Sequence, residues 1–189
     1  MPTLDLSRRV LVASAAAAAL LPLRQAVAQT AAAKGDWLSM IKAHHALIAK
    51  SFDELMASEK RTYLQRDRLI RAIGYQLTAH SVAEENVIYP ALAMAGMTSE
   101  SDKLYLDQAH AKVMNAQMEM ATRANREGKD WMAPAKSLQA AVLKHAKEDE
   151  EGNIYPKLQQ KLDAAMNKML TADYQREFAS VKPVRAAAG

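Results

Sequence analysis

The sequence predicts an all-α protein, a single up-down-up-down four-helix bundle with short extra helices at its C-terminal end. Glycine and proline number six each and aromatic residues make up only 5%, while alanine, leucine, methionine, lysine, glutamate and glutamine, the strong helix formers, are abundant. Apolar residues recur at alternating steps of three and four along four long stretches, the period of a helix with one buried face. Half of the 189 residues are hydrophobic, enough to bury one core but hardly two.

Residues 1–28 read as a cleaved export signal, leaving 29–189 as the bundle domain with its core at about 36–160. Arg8 and Arg9 precede an apolar run from Val10 to Leu23, and Ala26-Val27-Ala28 forms a small-x-small cleavage site. Ser7-Arg8-Arg9-Val10-Leu11 resembles the twin-arginine type of signal, which implies export of an already folded chain and a periplasmic location. Pro22 and Arg24 interrupt the apolar run, so no stable membrane insertion is expected after cleavage. The leader holds three arginines and one aspartate, and its loss lowers the formal charge of +4 by two. What remains is too weakly and too diffusely basic for nucleic acid.

The first helix follows Gly35-Asp36 and carries Leu38, Ile41, His45, Ile48, Phe52 and Leu55 on one stripe. His44 lies about 100° around the helix from His45. The second, from about Arg61 to Tyr89, aligns Ile70, Ile73, Leu77, His80, Glu84, Val87 and Ala91, with His80 and Glu84 one turn apart on one face. Pro90 should end or kink it. Thr98, Ser99 and Ser101 offer caps for the third helix, whose inward stripe is read as Leu106, His110, Val113 and Met120, closing near Gly128. The fourth starts near Asp130, tolerates Pro134 in its first turn, and presents Ala135, Leu138, Val142 and His145 before Glu150, Glu151 and Tyr155-Pro156. Lys157 to Val181 should form one or two short helices packed outside the bundle, with no visible chemistry.

Each predicted helix thus places at least one of the five histidines, His44, His45, His80, His110 and His145, near its middle. A lone inward histidine is usually a hydrogen-bonded core residue. Four helices each supplying one, with carboxylates beside them, need a compensating cation, because buried ionised glutamates are costly. Without cysteine the ligands are nitrogen and oxygen, a set suited to iron or manganese and to two ions held between facing helices.

These residues resemble the hemerythrin-like proteins of the HHE cation-binding type. The pattern reads His45 on the first helix, His80-Ser81-Val82-Ala83-Glu84 on the second, His110 on the third, and His145 with Glu150 on the fourth. HHALIAKSFDEL, HSVAEENVIYPAL and EEGNIYPKL look like the family's own fragments. The resemblance implies two carboxylate-bridged iron ions, with Glu84 and Glu150 bridging, His45 and His80 serving one iron, and His110 and His145 the other.

Two departures leave alternatives open. Oxygen-carrying hemerythrins place two histidines one turn apart on the third helix, whereas Leu106 and Met114 flank His110 here; solvent, His44 or Asp107 would fill the missing position. His145 precedes Glu150 by five residues, and on a regular helix five residues leave side chains about 140° apart. Either a π-bulge restores a common face or Asp149 replaces Glu150 as ligand. The implied function is a periplasmic non-haem diiron protein that binds oxygen, nitric oxide or peroxide for storage, delivery or sensing. Alternatives are a diiron enzyme acting on peroxide or ferrous iron, and a metal-binding envelope protein without a redox role. Tyr75 and Tyr105 read as packing residues, Met114, Met118 and Met120 as core filling, and the oligomeric state stays open.

Overall fold

In the computed structural model, residues 35–182 are described, except 125 and 127. The expected export signal lies outside the described residues. Among them every regular element is helical.

Helix α1 (Trp37–Met56) begins where the Asp36 carboxylate accepts from the Ser39 amide at 2.9 Å, satisfying one of the four free donors at a helix start. Helix α2 (Tyr63–Ala83) opens with a reciprocal cap between Thr62 and Gln65. It runs without a break into a first π-helical segment, Glu84–Ile88, and then α3 (Tyr89–Met94). Gly96, at φ +80°, supplies the left-handed turn that releases the chain toward the third rod, and the Met97 amide donates back to the Leu92 carbonyl at 2.9 Å. Helix α4 (Thr98–Ala124) is the longest. The fourth rod is α5 (Met132–Lys144), a second π-helical segment over His145–Ile154, and α6 (Tyr155–Lys161). Asp163 caps α7 (Ala164–Ser180), accepting from the Met166 amide at 2.7 Å.

The prolines do not act as expected. Pro90 and Pro156 sit in the first turns of α3 and α6, and both rods continue through them. Where a ladder changes from five-residue to four-residue bonding, one carbonyl is passed over in any case, so the amide that proline lacks costs the rod little.

The C-terminal region also differs from expectation: it is one 17-residue helix that packs against α1 and α2. The α1 start is tied to it by the Trp37 amide donating to Thr171 Oγ1 at 3.0 Å and the Trp37 indole donating to Asn167 Oδ1 at 2.8 Å. Leu170, Tyr174 and Phe178 are buried in the same cluster as Trp37, Ile41, Leu92 and Leu158. A second apolar cluster, including Ile48, Phe52, Ile73, Leu77, Trp131 and Leu138, fills the opposite half of the bundle. Along each rod the candidate ligands fall between the two clusters: His45 between Ile41 and Ile48, His80 between Leu77 and Ala83, His145 between Val142 and Ile154.

A fifth helix that belongs to the core makes Leu170→Ala a core truncation, expected to destabilise by about 2–5 kcal/mol in urea unfolding; an appended helix would give a change near zero.

Candidate metal centre

Between the apolar halves, one ligand atom from each of His45, His80, Glu84 and Glu150 lies within 4.8 Å of the others, all four residues buried. His45 Nε2 is 2.9 Å from His80 Nε2 and 3.1 Å from Glu150 Oε2. His80 Nε2 is 3.0 Å from Glu84 Oε2, and His145 Nε2 is 3.1 Å from Glu150 Oε1. Metal bonds to nitrogen and oxygen of about 2.1 Å put neighbouring ligands of an octahedral ion about 3 Å apart, the spacing seen here.

The outer nitrogens of the rings explain which way the inner ones face. A carboxylate can only accept, so His45 Nδ1–H donates to Glu151 Oε1 at 2.7 Å and His145 Nδ1–H donates to Asp107 Oδ2 at 3.4 Å. The Tyr174 hydroxyl lies 3.1 Å from His80 Nδ1 and 2.9 Å from His44 Nδ1. Its one proton can serve only one of them; donated to His44, it leaves the oxygen to accept from His80 Nδ1–H. Each ring then turns an Nε2 lone pair toward the centre, the usual arrangement of metal-bound histidines. The lone pairs of His45 and His80, with Nε2 atoms 2.9 Å apart, repel one another unless a proton or a cation lies between them.

The carboxylates make the same demand. Glu84 and Glu150 are 0% exposed, and Glu150 Oε2 has no hydrogen-bond donor while His45 Nε2, 3.1 Å away, turns its lone pair inward. Tyr155 Oη is 2.6 Å from both Glu84 Oε1 and Glu150 Oε1, yet carries one proton. Tyr89 Oη lies 3.0 Å from Glu150 Oε1 and 3.3 Å from Glu84 Oε2, and accepts from the Gln108 amide at 3.0 Å. Burial, reinforced by Glu150 and Glu84, holds both phenols well above their usual pKa, so they remain donors. The donor set, the orphaned carboxylate oxygen and the paired short contacts all fit a divalent cation.

The two π segments create this geometry. In the first, the Tyr89 amide bonds to the Glu84 carbonyl; in the second, the Tyr155 amide bonds to Glu150. Five-residue bonding stacks residues five apart on one face, so each phenol returns to the carboxylate of its own segment. The same widening brings His145 over Glu150. Asp149 instead pairs with Lys103 Nζ at 2.8 Å, and with Asp107 and His145 it makes a second, half-buried group whose ligand atoms lie within 4.8 Å of one another. Gly152 permits the bulge: a Cβ there would meet the Lys147 carbonyl oxygen at 2.9 Å.

The structure gathers His45, His80, Glu84, His145 and Glu150 but not His110, a correction to the sequence reading. His110, with Leu106, Val113 and Met120, is exposed on the outer side of α4. The inward residues of that helix are Ser101, Leu104, Gln108, Ala111, Asn115, Met118 and Thr122, spaced by alternating threes and fours. That face is more polar than the outer one, so hydrophobic periodicity selected the wrong side. Gln108 stands where an imidazole was expected: its amide donates to Glu84 Oε2 at 2.8 Å and its carbonyl accepts from Ser81 at 2.6 Å. His44 is buried against Phe178, ring centroids 3.9 Å apart, lies edge-on to His80 at 6.1 Å, and shares the Tyr174 hydroxyl with it. Asp107 contacts the outer nitrogen of His145. Tyr174, on the helix read as inert, carried no sequence signal; Tyr89 and Tyr155 did, as the phenols that recur five residues after a glutamate.

Two measurements follow. Tyr174→Phe removes the acceptor for His80 Nδ1–H and should weaken metal affinity by roughly 10–100-fold in competition with a chelator; unchanged affinity would show that His80 needs no such partner. The second concerns pH. Burial alone would lower the His45 pKa, but Glu150 and Glu151 raise it to about 9; His145, likewise opposed by burial, reaches about 9 through Glu150 and Glu84. Burial would raise the Glu150 carboxyl, but His145 and His45 hold it well below its usual range. The histidine contribution to metal-free stability is complete below pH 6.5 and lost as pH rises through about 9. That of Glu150 is complete above pH 4.5 and lost in stronger acid. The melting temperature of metal-free protein should therefore fall between pH 6.5 and 9, while metal affinity rises there because binding displaces those protons.

No curated protein and no solved structure matches the chain. A family model described as the hemerythrin HHE cation-binding domain matches residues 37–170, from the start of α1 into α7. That span is well over half of the chain and contains the whole ligand cluster, and the protein belongs to the hemerythrin HHE cation-binding family.

Proposed function

We propose that this protein is a periplasmic non-haem diiron protein that binds oxygen or a related small ligand, nitric oxide or peroxide, for storage, delivery or sensing. Hemerythrin-like domains bind iron, and His45, His80, Glu84, His145 and Glu150 would hold it here. Bound iron would supply the electrons that oxygen or peroxide takes up. The observation that carries the reading is a cavity of about 30 Å³ beside the cluster, lined by His45, His80, His145, Gln108 and the apolar side chains of Ile48, Leu77 and Val142. It has room for a water or a diatomic molecule, and its mostly apolar wall suits a weakly polar gas.

The residues around it have separable tasks. Glu151, Asp107 and Tyr174 orient the three rings. Tyr89 and Tyr155 hold protons against the carboxylates of Glu84 and Glu150. Leu77 and Val142 exclude bulk water from the cavity.

The enzyme reading, peroxide turnover or ferrous oxidation at the same centre, draws support from Gln108. An amide in place of an imidazole leaves the second metal position poorer in nitrogen and more open to exchange. Among the described residues no helix is long and apolar enough to cross a membrane.

Protein recovered after export by its own leader should contain about two irons per chain and change its visible spectrum reversibly with oxygen. Zinc or no metal would overturn the iron reading, and loss of export with both arginines replaced by lysine tests the location. Steady peroxide consumption without a reversible oxygen spectrum would select the enzyme.

A further inference from the structure

The outer face of α4 is as regular as its inner one and less polar. Asp102, Leu106, Ala109, Val113, Ala116, Met120 and Arg123 follow one another at alternating steps of four and three, and all are exposed. Leu106 is 71% exposed, Val113 56% and Met120 61%. Scattered exposed apolar residues need no explanation. Five in unbroken coiled-coil register on the longest helix form a seam, and the remaining rods of the bundle lie on the other side of it.

We propose that this seam pairs, antiparallel, with the same seam of a second copy of the chain. The occupant follows from the order of the residues, which reads nearly alike in both directions: charged, large, small, Val113, small, large, charged. A two-fold axis near Val113 sets Leu106 of one copy against Met120 of the other and Ala109 against Ala116, so that one patch is its own complement, as a two-fold interface requires. The small alanines let the backbones approach while the large residues fill the gaps on either side.

Charge favours the same arrangement. The ends of the seam carry opposite signs, Asp102 in the first turns of α4 and Arg123 in its last, so an antiparallel pair lays each acidic end beside a basic one. A parallel pair would set like charges together. The helix dipoles also oppose in the antiparallel sense. Arg123 holds Glu119 at 2.9 Å on its own helix with half of its side chain exposed, and is free to swing to Asp102 of the other copy. From residue 102 to 123 the seam is about 32 Å long at the helical rise.

Sedimentation velocity on the full-length, metal-loaded chain should give twice the monomer mass of 20.8 kDa. Leu106→Glu with Val113→Glu should give a monomer of unchanged helicity and metal content, since both side chains are exposed. The chain has no cysteine, so a single one reports position: Val113→Cys should cross-link into covalent dimers on mild oxidation. Leu106→Cys should not, because an antiparallel pair separates its two copies by about 21 Å. A full-length monomer, with the seam bare or covered by another part of the chain, overturns the proposal. So does a dimer that survives both glutamates, and cross-linking at Leu106→Cys as ready as at Val113→Cys overturns the antiparallel sense.

Discussion

Two glutamates with no solvent exposure, Glu84 and Glu150, sit at mid-height in the bundle, between its two apolar clusters. Taking an ionised carboxylate out of water costs on the order of several kcal/mol even after relaxation, and packing cannot offset that locally. Positive charge has to come to them. Imidazoles alone can carry it as protons, as the raised pKa of His45 and His145 shows. In that state His45 and His80, with Nε2 atoms 2.9 Å apart, can share only one proton. A metal ion removes the conflict, because lone pairs that repel across a gap become ligands around a centre. The two apolar clusters on either side keep water from doing the same work.

Holding that centre takes a second layer of side chains drawn from the third and fourth rods and from α7. Glu151 and Asp107 fix two rings from the edges, where they are partly solvated and also paired with Lys147 and Lys103. Tyr174 fixes the third from α7, which explains why the C-terminal helix is folded into the core. Trp37 and Asn167 tie the same helix to the start of α1, so loosening α7 would free a ring at the centre as well as uncover apolar surface.

Most of the fold was legible because the first, second and fourth helices each have one apolar face, with histidine and glutamate interrupting it at one depth. The third helix was misread for a physical reason. Its inner face carries Gln108, which reaches the centre, and Ser101, Asn115 and Thr122, whose side chains bond to backbone carbonyls or to a neighbouring side chain, while its outer face carries Leu106, Val113 and Met120. Hydrophobic period reports which side avoids water and cannot say what covers that side. His110 followed Leu106 and Val113 into the error, and Gln108, an amide with no reputation as a ligand, was passed over. Tyr174 was invisible for a different reason: a tyrosine 94 positions from His80 has no local pattern to betray it. The five-residue step from His145 to Glu150, by contrast, was readable as a demand for a wider turn, because the alternative ligand Asp149 faced the same test of geometry.

The second and fourth rods carry nearly the same tail, HSVAEENVIYP and HAKEDEEGNIYP, differing by one residue between histidine and glutamate. The shorter tail widens over five residues and the longer over ten. An extra residue in a regular rod would rotate everything beyond it by about 100° and aim Tyr155 and Leu158 away from the interior. Here the surplus is absorbed inside the widened coil, with Gly152 at its tightest point, and the downstream phase survives. The length of the chain between two ligands is thereby decoupled from the direction in which the rest of the rod faces, so insertions that would wreck an ordinary helix become tolerable in this stretch.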